Sequence, residues 1–139
     1  MKALKIIAPV LALGLSFTAT ANAQRTMDAH QAAQAANKVR QVTYSCTTGG
    51  TVQVNYGFNN QELPTYAEAN LGGKTRFLPI NLARSDISGT TFGDDNGWQI
   101  SGTALQLNNY HRSDVLIHDP AAQTAYKGCY VVGTKRIKG

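Results

Sequence analysis

Residues with chemistry to offer fall into three groups. The stretch DISGTTFGDDNGWQISG, Asp86 to Gly102, holds three acids, a Ser-Gly pair, an Asn-Gly pair and the sole tryptophan, Trp98. His111 and His118 follow in HRSD and HDP, and Cys46 and Cys129 are the only thiols. A calcium loop would place acids at alternating positions and close with a bidentate Glu. Asp94 and Asp95 are adjacent instead, no Glu follows, and Asn96-Gly97 suits a type I′ hairpin, so GDDNG reads as a turn. Ser88 as a nucleophile would need a base oriented by a third group, and no histidine lies near it in sequence. A glycosidase pair would need one acid in an apolar pocket, whereas Asp94-Asp95 sits at a turn. Two cysteines with the scattered His30, His111 and His118 lack the spacing of a four-ligand metal site. The chain is therefore expected to be no enzyme, and to carry neither metal nor cofactor.

The ends of the chain say where those residues work. Lys2 and Lys5 precede an apolar run from Ile6 to Phe17, and Ala21-Asn22-Ala23 supplies a small-x-small cleavage pattern. The run is too short for a stable bilayer span, so residues 1–23 are expected to be a signal peptide. No cysteine lies at the cleavage point, so no lipid anchor is expected. The mature protein is thus expected outside the cytoplasm, in the periplasm or at the outer-membrane surface. There, an even pair of cysteines favours a Cys46–Cys129 disulfide.

The 139-residue chain carries a formal charge of +5, and loss of Lys2 and Lys5 leaves +3. Much of the remaining basic charge lies at the ends, in Arg25, Lys38, Arg40, Lys135, Arg136 and Lys138. Between Gln41 and Thr134 the acids (Glu62, Glu68, Asp86, Asp94, Asp95, Asp114, Asp119) outnumber the bases. No continuous basic stripe with interleaved aromatics exists, so nucleic acid is not an expected partner.

These groups must be positioned by strands. Residues 24–40 are rich in Ala, Gln and Asn without an apolar stripe, and are expected to be a flexible lead-in accommodating a turn or two of helix. From Gln41 the period is two: Val42, Tyr44 and Cys46 share a face, as do Val52, Val54, Tyr56 and Phe58 after Gly49-Gly50. Thr65 to Leu71 resumes the alternation, Gly72-Gly73 turns it, and Pro79 marks the next strand as an edge or a bend. Further strands are expected at 87–92, 98–100, 104–107, 115–118 and 124–132. Many short strands with regular turns read as a small sandwich or barrel, one domain over 41–134, with 135–139 a basic tail. Trp98, Tyr44, Tyr56, Phe58, Tyr66 and Tyr126 are expected to fill its core.

Together these residues resemble a known family. YSCTTGGTVQVNYGFN, from Tyr44 to Asn59, resembles the opening of the bacterial C-type lysozyme inhibitors. YGFNNQELPTYAEANLGGKTRFLPINLARSD, from Tyr56 to Asp86, is more similar still to the neisserial adhesin complex proteins, secreted relatives of those inhibitors. The likeness runs from Val42 to Cys129. It implies an all-β fold, a small antiparallel eight-stranded β-barrel with one disulfide, and inhibition of host C-type lysozyme. In the family a S-G-x-x-Y loop enters the lysozyme cleft. Ser88-Gly89-Thr90-Thr91-Phe92 is similar to it, with Phe for Tyr. Trp98 to Ala104 is similar to a second motif, W-x-K-G-x-x-A, with shifted spacing and Ser101 near the place of the lysine. The resemblance therefore implies lysozyme contact at Asp86, Ser88, Gly89, Thr90 and Ser101. Ser88 would offer a hydroxyl donor, and Asp86, Asp94 and Asp95 would steer toward a basic rim. The alternative is an adhesin that binds the host cell surface or an envelope partner. Monomer and homodimer are both open.

Overall fold

The computed structural model describes residues 25–139; the expected signal peptide, 1–23, lies outside the described residues. Eight antiparallel strands form one sheet: β1 (Lys38–Thr48), β2 (Gly50–Phe58), β3 (Pro64–Leu71), β4 (Lys74–Pro79), β5 (Thr90–Phe92), β6 (Gln99–Gly102), β7 (Val115–His118) and β8 (Thr124–Lys138). The alternation decides which side faces inward. Val42, Tyr44, Val52, Val54, Tyr56, Phe58, Ala67, Ala69 and Leu71 are all buried in one cluster with Phe92, Ile100, Val115 and Ile117. Tyr66, Trp98 and Tyr126 are only partly buried. Gly72-Gly73, both at positive φ, make the two-residue β3–β4 turn, where Leu71 pairs with Lys74.

The strand order is β4-β3-β2-β1-β8-β7-β6-β5. The first and last strands, β1 and β8, are neighbours in the middle of the sheet, so the disulfide between Cys46 and Cys129 joins strands already paired in register. Closure happens elsewhere, where the edges β4 and β5 meet. Ile80 bridges Phe92, the Gly93 amide donates to the Pro79 carbonyl at 2.8 Å, and the Asn81 amide donates to the Thr91 carbonyl at 2.8 Å. Pro79 suits this seam because it only has to accept. Gly93 lies at φ 102, and a Cβ there would stand 2.1 Å from the Trp98 carbonyl oxygen, so the corner admits only glycine. The result is a nearly closed barrel.

Four local expectations are corrected. The lead-in is ordered: Ala29–Ala35 forms α1, capped by the Asp28 carboxylate on the Gln31 amide at 3.1 Å. This helix docks through Ala32 and Ala36, both buried, and the Thr65 hydroxyl donates to the Ala32 carbonyl at 2.8 Å. Small residues let the backbones approach, which a search for a large apolar stripe overlooks. The basic tail is ladder, not tail: β8 runs to Lys138, and the buried Arg40 guanidinium donates to main-chain oxygens of Lys138 and Gly139. Residues 104–107 are not a strand; from an irregular segment Leu105 is buried in the core and Leu107 packs against it. Trp98 sits just outside β6 and is half-buried, packed over Gly72, with the Arg76 guanidinium 5.8 Å from its ring.

Candidate functional site

The segment before β5 leaves the barrel as a tight turn, and its own side chains build it. The Asp86 amide donates to the Gly89 carbonyl at 2.9 Å. Asp86 Oδ1 accepts from the Ser88 amide (2.8 Å), the Ser88 hydroxyl (2.7 Å) and the Gly89 amide (3.2 Å). An Asp whose carboxylate gathers amides two and three residues on is a self-contained turn former. Those bonds, led by the Ser88 hydroxyl, hold the Asp86 carboxyl below its usual range. The base of the turn is clamped too, since the Thr91 amide donates to the Ser85 hydroxyl at 3.0 Å.

This arrangement sorts the expected contact residues. Asp86 and Ser88 are exposed at the tip, and Gly89 sits at its base, where a Cβ would meet the Gly102 carbonyl oxygen at 3.2 Å. Thr90 is 6% exposed, and its hydroxyl accepts from the Leu105 amide at 2.9 Å, so it positions the tip and presents nothing. Ser101 lies across the β5–β6 pair, its hydroxyl 3.2 Å from that of Thr91. The tip itself consists of Asp86, Ile87, Ser88 and Gly89.

Ile87 is the residue that sequence reading misplaced. Expected as the first residue of a strand, it is 97% exposed at the apex. The signal was present in its flanks, because Asp before and Ser-Gly after an apolar residue mark a turn rather than a strand.

The other acids do different work. Asp95 accepts from Arg25 Nε (2.7 Å), Arg84 Nε (3.0 Å) and Asn81 Nδ2 (2.9 Å). Asn81 chiefly, then Arg84 and Arg25, lower its carboxyl pKa. Asp94 accepts from the Thr26 hydroxyl at 2.9 Å. The GDDNG segment is thus a clasp that fastens the strap of residues 25–27 to the barrel seam. Its turn closes from the Gly97 amide to the Asp94 carbonyl at 3.0 Å. Neither Asn96 nor Gly97 has positive φ, so the expected type I′ turn on Asn96-Gly97 is not the one formed; Gly97 follows the turn's central pair Asp95-Asn96. With Asp95 neutralised by two guanidiniums, the acids of this stretch left to steer are Asp86 and Asp94. Among the described residues no His, Cys, Asp and Glu come together as a metal-binding group, and no helix is long and apolar enough to cross a membrane.

Comparison with known proteins agrees with this architecture. A family model described as an ACP-like domain matches residues 40–131, which include the tip and both cysteines. A model of a family of unknown function matches residues 1–77. Among solved structures the chain is similar to the Adhesin Complex Protein from Neisseria meningitidis, at 35% identity and a TM-score of 0.62. That match covers 66% of this chain and 98% of the other. Comparison with curated proteins gives no match.

Proposed function

The chain belongs to the family of ACP-like domains, and from that premise we propose that it is an exported protein-binding barrel that inhibits C-type lysozyme by inserting the Asp86–Gly89 tip into the active-site cleft. One observation carries the reading: the tip is narrow, projects from a rigid scaffold and is ordered before any partner arrives. Prior order lowers the entropy lost on binding. Ser88 and Gly89 are small enough to let backbone and hydroxyl approach a cleft wall.

The Ser88 hydroxyl hydrogen already points to Asp86, so toward a partner its oxygen acts as an acceptor. Of the two carboxyl groups in a lysozyme cleft, the general acid is held protonated by its apolar surroundings. It is therefore the group that can donate to Ser88. The protein acts as a plug and performs no chemistry of its own.

Hydrolysis of a soluble N-acetylglucosamine oligomer by a C-type lysozyme tests this reading. Competitive inhibition by the purified mature protein supports a tip in the cleft; noncompetitive inhibition or none contradicts it.

A second reading has its own support. The similar solved structure bears the name of an adhesin complex protein, and Tyr130, Val132 and Ile137 expose apolar side chains along β8. β8 is three strands removed from β5 in the sheet, and such residues are where an adhesive contact with a host or envelope partner would form.

A further inference from the structure

Beside the tip lies an apolar groove of about 550 Å³, its walls including Met27, Leu63, Ile80, Leu82, Ile87 and Leu105. Three of these are large apolar side chains left to solvent: Leu63 is 45% exposed, Leu82 47% and Ile87 97%. Their sequence neighbourhoods are unrelated. Leu63 ends the loop that Asn59 closes by accepting the Gln61 and Leu63 amides. Leu82 opens the short 3-10 turn after the barrel seam, and Ile87 is the tip. Three ordered segments that each present an apolar residue to one concavity describe a contact surface, not incidental exposure.

The lining also indicates the chemistry of what fits. Asp86 is the one charged residue in it. Its Oδ1 takes all three turn donors, while Oδ2 accepts no hydrogen bond among the described residues. The nearby Arg84 guanidinium is turned to Asp95. The groove therefore offers an apolar floor and one free carboxylate oxygen at its rim, and nothing cationic in its walls.

We propose that this groove, not Ser88, holds most of the binding energy, by receiving a protein segment that pairs an aliphatic or aromatic side chain with an adjacent lysine or arginine. The apolar side chain lies among Leu63, Leu82 and Ile87, and the cation meets Asp86 Oδ2. This rests on the lysozyme reading: the segment belongs to the rim of the cleft that takes the tip. Apolar anchors in a desolvated pocket dominate interfaces, whereas a rim charge acts mainly on encounter rate and salt dependence.

The test is calorimetric titration of a C-type lysozyme into the mature protein, using the wild type, Ile87→Ser, Leu82→Ser and Asp86→Asn. Urea unfolding of each variant checks the fold. The proposal expects Ile87→Ser and Leu82→Ser to weaken binding about 30-fold or more with unchanged unfolding midpoints. Asp86→Asn, which keeps the turn's acceptor oxygen, should flatten the salt dependence of affinity. Wild-type binding that Ile87→Ser and Leu82→Ser leave intact overturns the groove and spares the lysozyme reading. No wild-type binding overturns both. If sedimentation shows a wild-type dimer that Ile87→Ser and Leu82→Ser dissociate, the groove belongs to a second copy, and the proposal fails.

Discussion

The Ser88 hydroxyl donates to Asp86 Oδ1 across 2.7 Å, so the two residues expected to face a partner first hold each other. A tip of four residues has no core to order it. Here a single carboxylate oxygen replaces the core, gathering three donors from the two residues that follow Ile87.

That dependence makes the tip acid-sensitive. The Asp86 pKa is lowered from 3.8, first by the Ser88 hydroxyl and then by the Ser88 amide. A depressed carboxyl pKa means that the order it supplies is complete above the unfolded value and lost as pH falls through the folded one. Proton NMR of the Ser88 and Gly89 amides should therefore show constant shifts down to about pH 4, then a transition with a midpoint below 3.8. A midpoint at or above 3.8 would show that the carboxylate does not hold the turn.

Asp95 should govern the strap in the same way. Its carboxyl pKa is also lowered, Asn81 being the main cause, so the clasp holds above the unfolded value and opens as pH drops through the folded one. Asp95→Ala should speed amide hydrogen exchange at Met27, whose N–H donates to the Ile80 carbonyl at 2.9 Å. Exchange in β1 and β2 should stay unchanged. Equal acceleration throughout the barrel would make Asp95 part of the global fold instead of a local latch.

Inside the barrel, the Tyr44 and Tyr56 hydroxyls lie 2.7 Å apart, and both rings are fully buried. Burial foremost pushes both phenol pKa values up, so the pair stays neutral across the working range of the protein. Removing one hydroxyl strands the other in an apolar core, which costs roughly 1–3 kcal/mol. Tyr56→Phe should thus lower stability by that amount, and adding Tyr44→Phe should restore much of it. A urea-unfolding double-mutant cycle reads this coupling; simple additivity would mean that the bond contributes nothing.

Much of the barrel was legible because period-two alternation reports directly on a sheet with one wet face. The core list from Val42 to Leu71 followed from it, and the Cys46–Cys129 pairing followed from an even pair of cysteines in an exported chain. Strand order was not legible. Placing the first and last strands at opposite ends of the sheet is natural in sequence, yet β1 and β8 are central neighbours and the seam runs between β4 and β5. Which edges meet depends on long-range bonds such as Asn81 to Thr91, and these leave no local pattern. A turn or two of helix was expected in the lead-in, but the docking of α1 and the strap was missed for a related reason, since alanines dock by being small. In the tip, Ser88 was singled out through a motif and lies exposed in the turn, while Ile87 and the exposed leucines were hidden because an apolar residue in sequence looks like core until the fold leaves it outside.

Lysis of a peptidoglycan-bearing bacterial suspension, followed as turbidity loss with C-type lysozyme and increasing mature protein, tests the central claim most directly. The account predicts full protection near one equivalent when both proteins exceed their Kd. Ser88→Ala should raise the Kd roughly tenfold, read as the amount giving half protection with lysozyme kept below the Kd, as expected when one hydrogen bond to a carboxyl group is lost. Undiminished lysis by several C-type lysozymes at large molar excess of the protein would contradict the claim and leave the adhesive reading in its place.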